Sequence, residues 1–85
     1  MSSKSTLIGY IIHPETRRIE YPLYKDETIE KGCCLICPGG YFINPDPSEL
    51  TILNNNVTRA GYIIVNPDAV TQEEILEYKR EVGIA

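Results

Sequence analysis

Two segments in the first third of the chain carry the apolar pattern of β-strands. Thr6–Ile12 is rich in branched apolar residues, which favour strands. Arg18–Tyr24 alternates apolar and polar residues, so its odd-numbered residues are predicted to share one face. The polar residues 13–17 between the two segments predict a hairpin loop. Because Pro22 has no N–H to donate, the second strand is expected at a sheet edge, at least locally.

The middle of the chain contains four further short apolar segments separated by polar residues or by Gly and Pro. Each has the length and composition of a strand. The three consecutive asparagines 54–56 are typical of a turn, because Asn tolerates left-handed backbone conformations. The predicted strands are Cys33–Cys37, Tyr41–Asn44, Leu50–Leu53 and Val57–Val65.

One helix is predicted near the end of the chain, over residues 71–82. Thr71 and Glu74 have the spacing of a capping box, in which each residue bonds the backbone N–H of the other. Apolar residues then recur at helical spacing, and acidic residues precede basic ones, as the helix dipole prefers. Gly83 is expected to end the helix in a left-handed conformation.

These elements predict an α+β fold that is mainly β. We expect five to six mostly antiparallel strands in a curled sheet or small barrel, with one C-terminal helix over residues 71–82. Residues 1–85 are expected to form a single domain, with residues 1–5 flexible. The first and last strands are apolar on both faces, and one helix covers only one face. The other face must therefore curl, pack on a second copy or receive a partner, which predicts a homo-oligomer or a protein complex.

Composition excludes several classes of function. The chain has 85 residues and a net charge of −4, which argues against a nucleic-acid partner, since phosphate binding needs clustered Lys and Arg. No apolar run approaches the roughly 20 residues of a membrane span, so no membrane association is expected. The polar N-terminus lacks the apolar core of a secretory signal. We therefore expect a cytoplasmic protein with reduced thiols.

One phrase, Gly-Tyr followed by two apolar residues and a turn that contains Pro, occurs three times in the chain, beginning at Gly9, Gly40 and Gly61. One interpretation is a strand ending that is used repeatedly because Pro stops strands well. The other is that the three tyrosines share one surface, where they stack a ring-bearing ligand or anchor a protein, while arginines bind a phosphate or carboxylate. The candidate binding residues are Tyr10, Tyr41, Tyr62, Arg17, Arg18 and Arg59.

Catalytic and metal sites find little support. Cys34 and Cys37 have the C-x-x-C spacing of redox and zinc sites, but the intervening Leu and Ile favour a strand, in which the two thiols point apart. No second such pair exists, and His13 is the only histidine. We therefore expect buried free cysteines, no catalytic residues, no metal and no cofactor.

Three functional hypotheses follow. The first is a small non-enzymatic binding or inhibitor module that acts through protein contacts or small-ligand capture, as accessory proteins of bacteria and bacterial viruses often do. The second is a structural subunit of a larger assembly. The third, ranked last, is a thiol- or metal-dependent enzyme that uses the C-x-x-C pair.

Overall fold

The structure of the chain is a computed structural model that describes residues 5–37, 39–46 and 49–83. These residues form five strands, two α-helices and a short 3₁₀ helix, Pro67–Ala69. Residues 1–4 of the segment predicted to be flexible lie outside the described residues, whereas Ser5 begins the first strand. The strands are β1 (Ser5–Ile12), β2 (Ile19–Asp26), β3 (Cys34–Cys37), β4 (Gly40–Ile43) and β5 (Ile63–Val65), and the helices are α1 (Glu49–Arg59) and α2 (Gln72–Val82).

The strands form one open, mixed sheet in the order β3-β4-β2-β1-β5. Three neighbouring pairs are antiparallel, and β2 and β4 are parallel. The prediction of an α+β fold with mostly antiparallel strands is confirmed in this form, but the sheet does not close into a barrel. β2 lies inside the sheet as a whole, and only its first half, which includes Pro22, forms the expected local edge. It pairs with β4 only from Leu23 onward, so Pro22 interrupts no bond between these two strands.

Two irregularities in the pairing of β1 with β2 change which side chains share a face. One lies near the middle of β1, and the other lies in β2, next to the pairing of Ile12 with Ile19. An extra residue in a strand reverses the alternation beyond it. Ile19 consequently packs on one face of the sheet and Leu23 on the other. The prediction that the odd-numbered residues of this strand share one face is therefore wrong.

Helix α1 was not predicted. Residues 50–59, assigned from the sequence to a strand, a turn and the start of another strand, are helical, and only Ile63–Val65 of the last predicted strand form β5. Leu50, Leu53 and Val57 recur at helical spacing, and Val57 is buried against the sheet. Packing of this stripe overrides the low helix propensity of the asparagines.

Each face of the sheet is covered by one helix of the same chain. Between α2 and the sheet lies one cluster of buried side chains, which we call the α2 core. It consists of Tyr10, Ile12, Ile19, Val70 and Tyr78. Between α1 and the sheet lies the second cluster, which we call the α1 core. It consists of Ile11, Leu23, Ile43 and Val57. Strands that are apolar on both faces are thus covered on both faces, as expected. Because α1 covers the second face, strands that are apolar on both faces no longer imply a second copy or a partner.

The ends of α2 agree with the sequence analysis. The Thr71 hydroxyl accepts a hydrogen bond from the Glu74 N–H at 3.2 Å, and the Glu74 carboxylate accepts one from the Thr71 N–H at 2.8 Å. Gly83 ends the helix with φ = 76°, where a side chain would be strained. Among the described residues, neither helix has the length and apolar content needed to cross a bilayer.

The close approach of β5 to β1 can be tested at Gly9. A Cβ at this position would lie 2.7 Å from the Val65 carbonyl oxygen, so Gly9→Ala forces the two strands apart. We expect the free energy of unfolding, measured by urea denaturation, to fall by about 2 kcal/mol. Thr6→Ala, at an exposed position of the same strand, should change it by about 0.5 kcal/mol or less. A Gly9→Ala protein as stable as the parent would contradict this strand contact.

Candidate functional site

The three tyrosines of the repeated phrase do not share one surface. Tyr10 is only 7% exposed and belongs to the α2 core. Its burial, together with the nearby Tyr24, raises the pKa of its phenol. Tyr41 and Tyr62 pack against the α1 core on the opposite face. Tyr10 therefore cannot contact a ligand that Tyr41 and Tyr62 bind together.

Tyr41 and Tyr62 do line one cavity, of about 260 Å³, between α1 and the sheet. We call this the tyrosine cavity, and its main apolar and aromatic walls are Ile11, Tyr21, Tyr41, Leu53, Val57 and Tyr62. The rings of Tyr21 and Tyr41 meet edge to face at 6.3 Å. The Tyr62 ring also lies 4.5 Å from the His13 ring. Two of the three predicted tyrosines thus line the same cavity, together with Tyr21, which the repeated phrase did not indicate.

Arg17 and Arg18 bind helix α2 rather than facing the tyrosines. The Arg17 guanidinium donates to the Glu74 carboxylate at 3.0 Å and to the Ala69 carbonyl. Arg18 forms an ion pair with Glu81. These contacts fix the β1–β2 loop against α2, and they give both arginines a structural role.

Arg59 lies far along the chain from these two residues, in the last turn of α1. It is exposed and, within the described residues, has no ion-pair partner. Its charge is favourable at the negative end of the helix dipole. The structure therefore does not assemble the three predicted arginines into one anion site.

A larger cavity, of about 640 Å³, lies beside the first half of α1. We call it the lysine groove. Its apolar surface comes from Ile8, Leu23, Pro45, Leu50 and Ile64, and its polar rim from Lys25, Glu27, Lys31, Asn44, Asp46 and Asn54. A few polar groups around an apolar floor are typical of a small-molecule site, and the volume lies in the usual range.

The wall of the lysine groove formed by the β2–β3 connection is held in place by hydrogen bonds. The Asn44 amide donates to the Ile29 carbonyl at 2.7 Å, and the Gly32 N–H donates to the Asn44 carbonyl at 2.6 Å. Lys31 Nζ lies 3.5 Å from Asp46 Oδ1. Because this loop is tied to the end of β4, the groove is preformed, which reduces the entropic cost of binding.

The sequence analysis missed the lysine groove because the groove depends on α1. Leu50 and Asn54 reach it together only when they are one helical turn apart. The run of asparagines 54–56 was the sequence signal that could have indicated these cavities, because its members line different ones. Asn54 lines the lysine groove and Asn56 the tyrosine cavity, whereas Asn55 lines neither.

Cys33 and Cys34 are free and exposed, so the prediction of buried thiols is wrong for both. They lie at the sheet edge, where they line a small cavity of about 130 Å³ beside α1. The Cys34 thiol interacts with the Tyr41 hydroxyl, and burial together with this contact raises the pKa of Tyr41 to about 12. Within the described part of the chain, no group of three His, Cys, Asp or Glu side chains has an arrangement that could bind a metal ion.

Comparisons of the chain with protein-family models, curated protein sequences and solved structures give no match. The geometry of the two cavities is therefore what supports a functional proposal.

The environment of Tyr41 can be tested by its titration. The folded phenol ionises near pH 12 rather than at 10.0, whereas the unfolded phenol ionises near its ordinary value. The contribution of Tyr41 to stability is therefore complete below pH 10 and is lost as the pH rises through the folded pKa. We expect the parent protein to lose more unfolding free energy between pH 10 and 12 than Tyr41→Phe, which keeps the ring and removes the ionisable group. Equal losses in the two proteins would contradict the raised pKa.

The structural role of Arg17 predicts a pH-dependent loss of stability. The Arg17 hydrogen bond lowers the pKa of Glu74, so its stabilising effect is present above the ordinary carboxyl range and disappears as the pH falls through the folded pKa. Arg17→Gln should lower the melting temperature at pH 7, and the difference from the parent should shrink at acidic pH. Arg59→Gln, the same change at an exposed arginine without an ion pair, should have little effect at either pH. A difference for Arg17→Gln that is undiminished at acidic pH would contradict the role of Glu74, whereas the bond to the Ala69 carbonyl leaves a smaller difference at every pH.

Proposed function

We propose that this chain is a non-enzymatic binding module that captures a small amphiphilic molecule in the lysine groove. The observation that carries the proposal is the groove itself, an open cavity of about 640 Å³ with an apolar floor and a charged rim. Cavities of this size typically enclose ligands of drug-like dimensions. The tyrosine cavity, at about 260 Å³, falls just below the usual range.

The apolar floor of the groove favours a ligand with an apolar body. Leu23 at its base is only 2% exposed, and Ile8 and Ile64 are half-buried. An aliphatic or ring-bearing body that covers these side chains would displace water from apolar surface, at roughly 25 cal/mol for each Å² removed. This contribution would supply affinity without requiring a specific shape.

The rim favours a zwitterionic head on the same ligand. Lys31 and Asp46 neutralise each other, whereas Lys25 and Glu27 have no ion-pair partner among the described residues. One free ammonium and one free carboxylate are complementary to a head that carries one anionic and one cationic group. The Asn54 amide adds a donor and an acceptor at the helix side of the groove.

Native mass spectrometry of protein purified from cells without chelator tests the proposal. We expect an adduct of a few hundred daltons, the range that fits cavities of about 300–1,000 Å³. Asn54→Trp places an indole in the groove and should abolish the adduct. Asn55→Trp, the neighbouring exposed position outside both cavities, should retain it.

A fluorescent probe, 8-anilinonaphthalene-1-sulfonate, gives an independent measurement, because it pairs an apolar ring system with an anionic group. We expect Asn54→Trp to weaken probe binding at least tenfold, a loss of about 1.4 kcal/mol, relative to Asn55→Trp. An adduct that survives in Asn54→Trp would contradict the proposed site. Equal probe affinities of the two variants, with no adduct on the parent protein, would also contradict it.

A further inference from the structure

The β3 edge of the sheet is open and lacks the features that usually protect an edge strand. In the described structure, β3 pairs only with β4, so one side of its backbone has no neighbouring strand. Exposed edges are normally protected by charged residues, Pro or bulges. β3 has the sequence Cys-Leu-Ile-Cys. Its pairing with β4 has no register shift, and the only bulge in the described part of this pair precedes β3, where Gly32 and Cys33 both bond to Asn44. Leu35 and Ile36 are 52% and 55% exposed, which leaves apolar side chains on both sides of this edge.

The backbone groups that face outward belong to Cys34 and Ile36. The Asn44 N–H donates to the Cys33 carbonyl, so this carbonyl points toward β4, whereas the Cys33 N–H donates to the Glu30 carbonyl. In an antiparallel pair, alternate residues direct their N–H and C=O to the same side. Leu35 therefore also points its polar groups toward β4, and those of Cys34 and Ile36 point away from the sheet.

These features lead us to propose that β3 is the interface of a symmetric homodimer, in which two copies of the strand pair antiparallel across a two-fold axis at Leu35. Leu35 then lies opposite Leu35 of the second copy, as a non-hydrogen-bonded pair. Cys34 lies opposite Ile36 of the second copy, and each such pair exchanges two N–H···O bonds. The two sheets become one continuous sheet. This interface is independent of the lysine groove, which no β3 residue lines.

The geometry disfavours the neighbouring registers. A shift by one residue places Leu35 opposite Ile36, whose side chains lie on different faces of the sheet. A shift by two residues in one direction leaves the outward N–H and C=O of Cys34 beyond the end of β3 of the second copy. The same shift in the other direction places Ile36 opposite Gly32, whose N–H already donates to the Asn44 carbonyl.

Side chains on both faces of the proposed interface favour a second copy of this chain as the partner of β3. On the α2 side, Leu35 pairs with Phe42, whose ring stacks on Tyr24 at a centroid distance of 4.9 Å. On the α1 side, Ile36 lies beside Tyr41. β3 carries no charge, so self-pairing places no like charges opposite each other. A strand interface of this length is small, and we expect a dimer that dissociates in the micromolar range, at about 1–100 μM.

Sedimentation velocity across a concentration series tests the dimer. We expect the parent protein to shift from monomer to dimer with increasing concentration. Leu35→Lys, which places two ammonium groups opposite each other at the axis, should remain monomeric throughout. Leu76→Lys makes the same change at a residue of α2 that is 52% exposed, and it should dimerise like the parent. A parent protein that is monomeric up to about 1 mM, roughly ten times the highest dissociation constant expected, would overturn the proposal. The edge would then be left for a strand of another protein.

Disulfide trapping tests the register. Cys33, Cys34 and Cys37 are first replaced by Ser, and a single cysteine is then introduced at position 35 or 36. Non-hydrogen-bonded partners lie about 4.5 Å apart between Cα atoms, within the range for a disulfide. Leu35→Cys should therefore form a covalent dimer on oxidation. The two copies of position 36 lie roughly 9 Å apart in this register, so Ile36→Cys should not. Equal cross-linking of the two variants, or cross-linking of Ile36→Cys alone, would overturn the register.

Discussion

The fold depends on the burial of two consecutive side chains of β1 in opposite directions. Ile11 points into the α1 core and Ile12, which has no exposed surface, into the α2 core. A strand with this pattern is stable only if both faces of its sheet are covered. The placement of one helix on each face follows from this requirement. The cavities lie where a single helix on one face is too narrow to cover the whole sheet.

Local signals predicted the elements whose contacts are themselves local. The β1–β2 hairpin and the capping box of α2 depend on residues close in sequence, and both were confirmed. Helix α1 depends on contacts with distant strands, because Val57 is buried against Ile11 and Leu23 only after the sheet has formed. Its asparagines favour turns when considered alone. The error therefore arises where tertiary packing outweighs intrinsic propensity.

The same distinction explains what was predicted of the candidate site. The repeated phrase identified Tyr41 and Tyr62, which meet in one cavity. It also included Tyr10, because equivalent positions in similar phrases need not share a face of the sheet. Bulges and strand direction decide the face, and neither is visible in the phrase itself. The lysine groove was not accessible to this reasoning, since its walls come from segments whose proximity depends on α1.

The strand order β3-β4-β2-β1-β5 also has a consequence for how the chain folds during synthesis. The first hairpin forms the inside of the sheet, so every later element adds to a framework that is already present. The cover of the α2 core, however, follows all five strands in the sequence. Tyr10, Ile12 and Ile19 therefore remain open to water, or to a chaperone, until the whole sheet has been made. This interval is when we expect the chain to be most prone to aggregation.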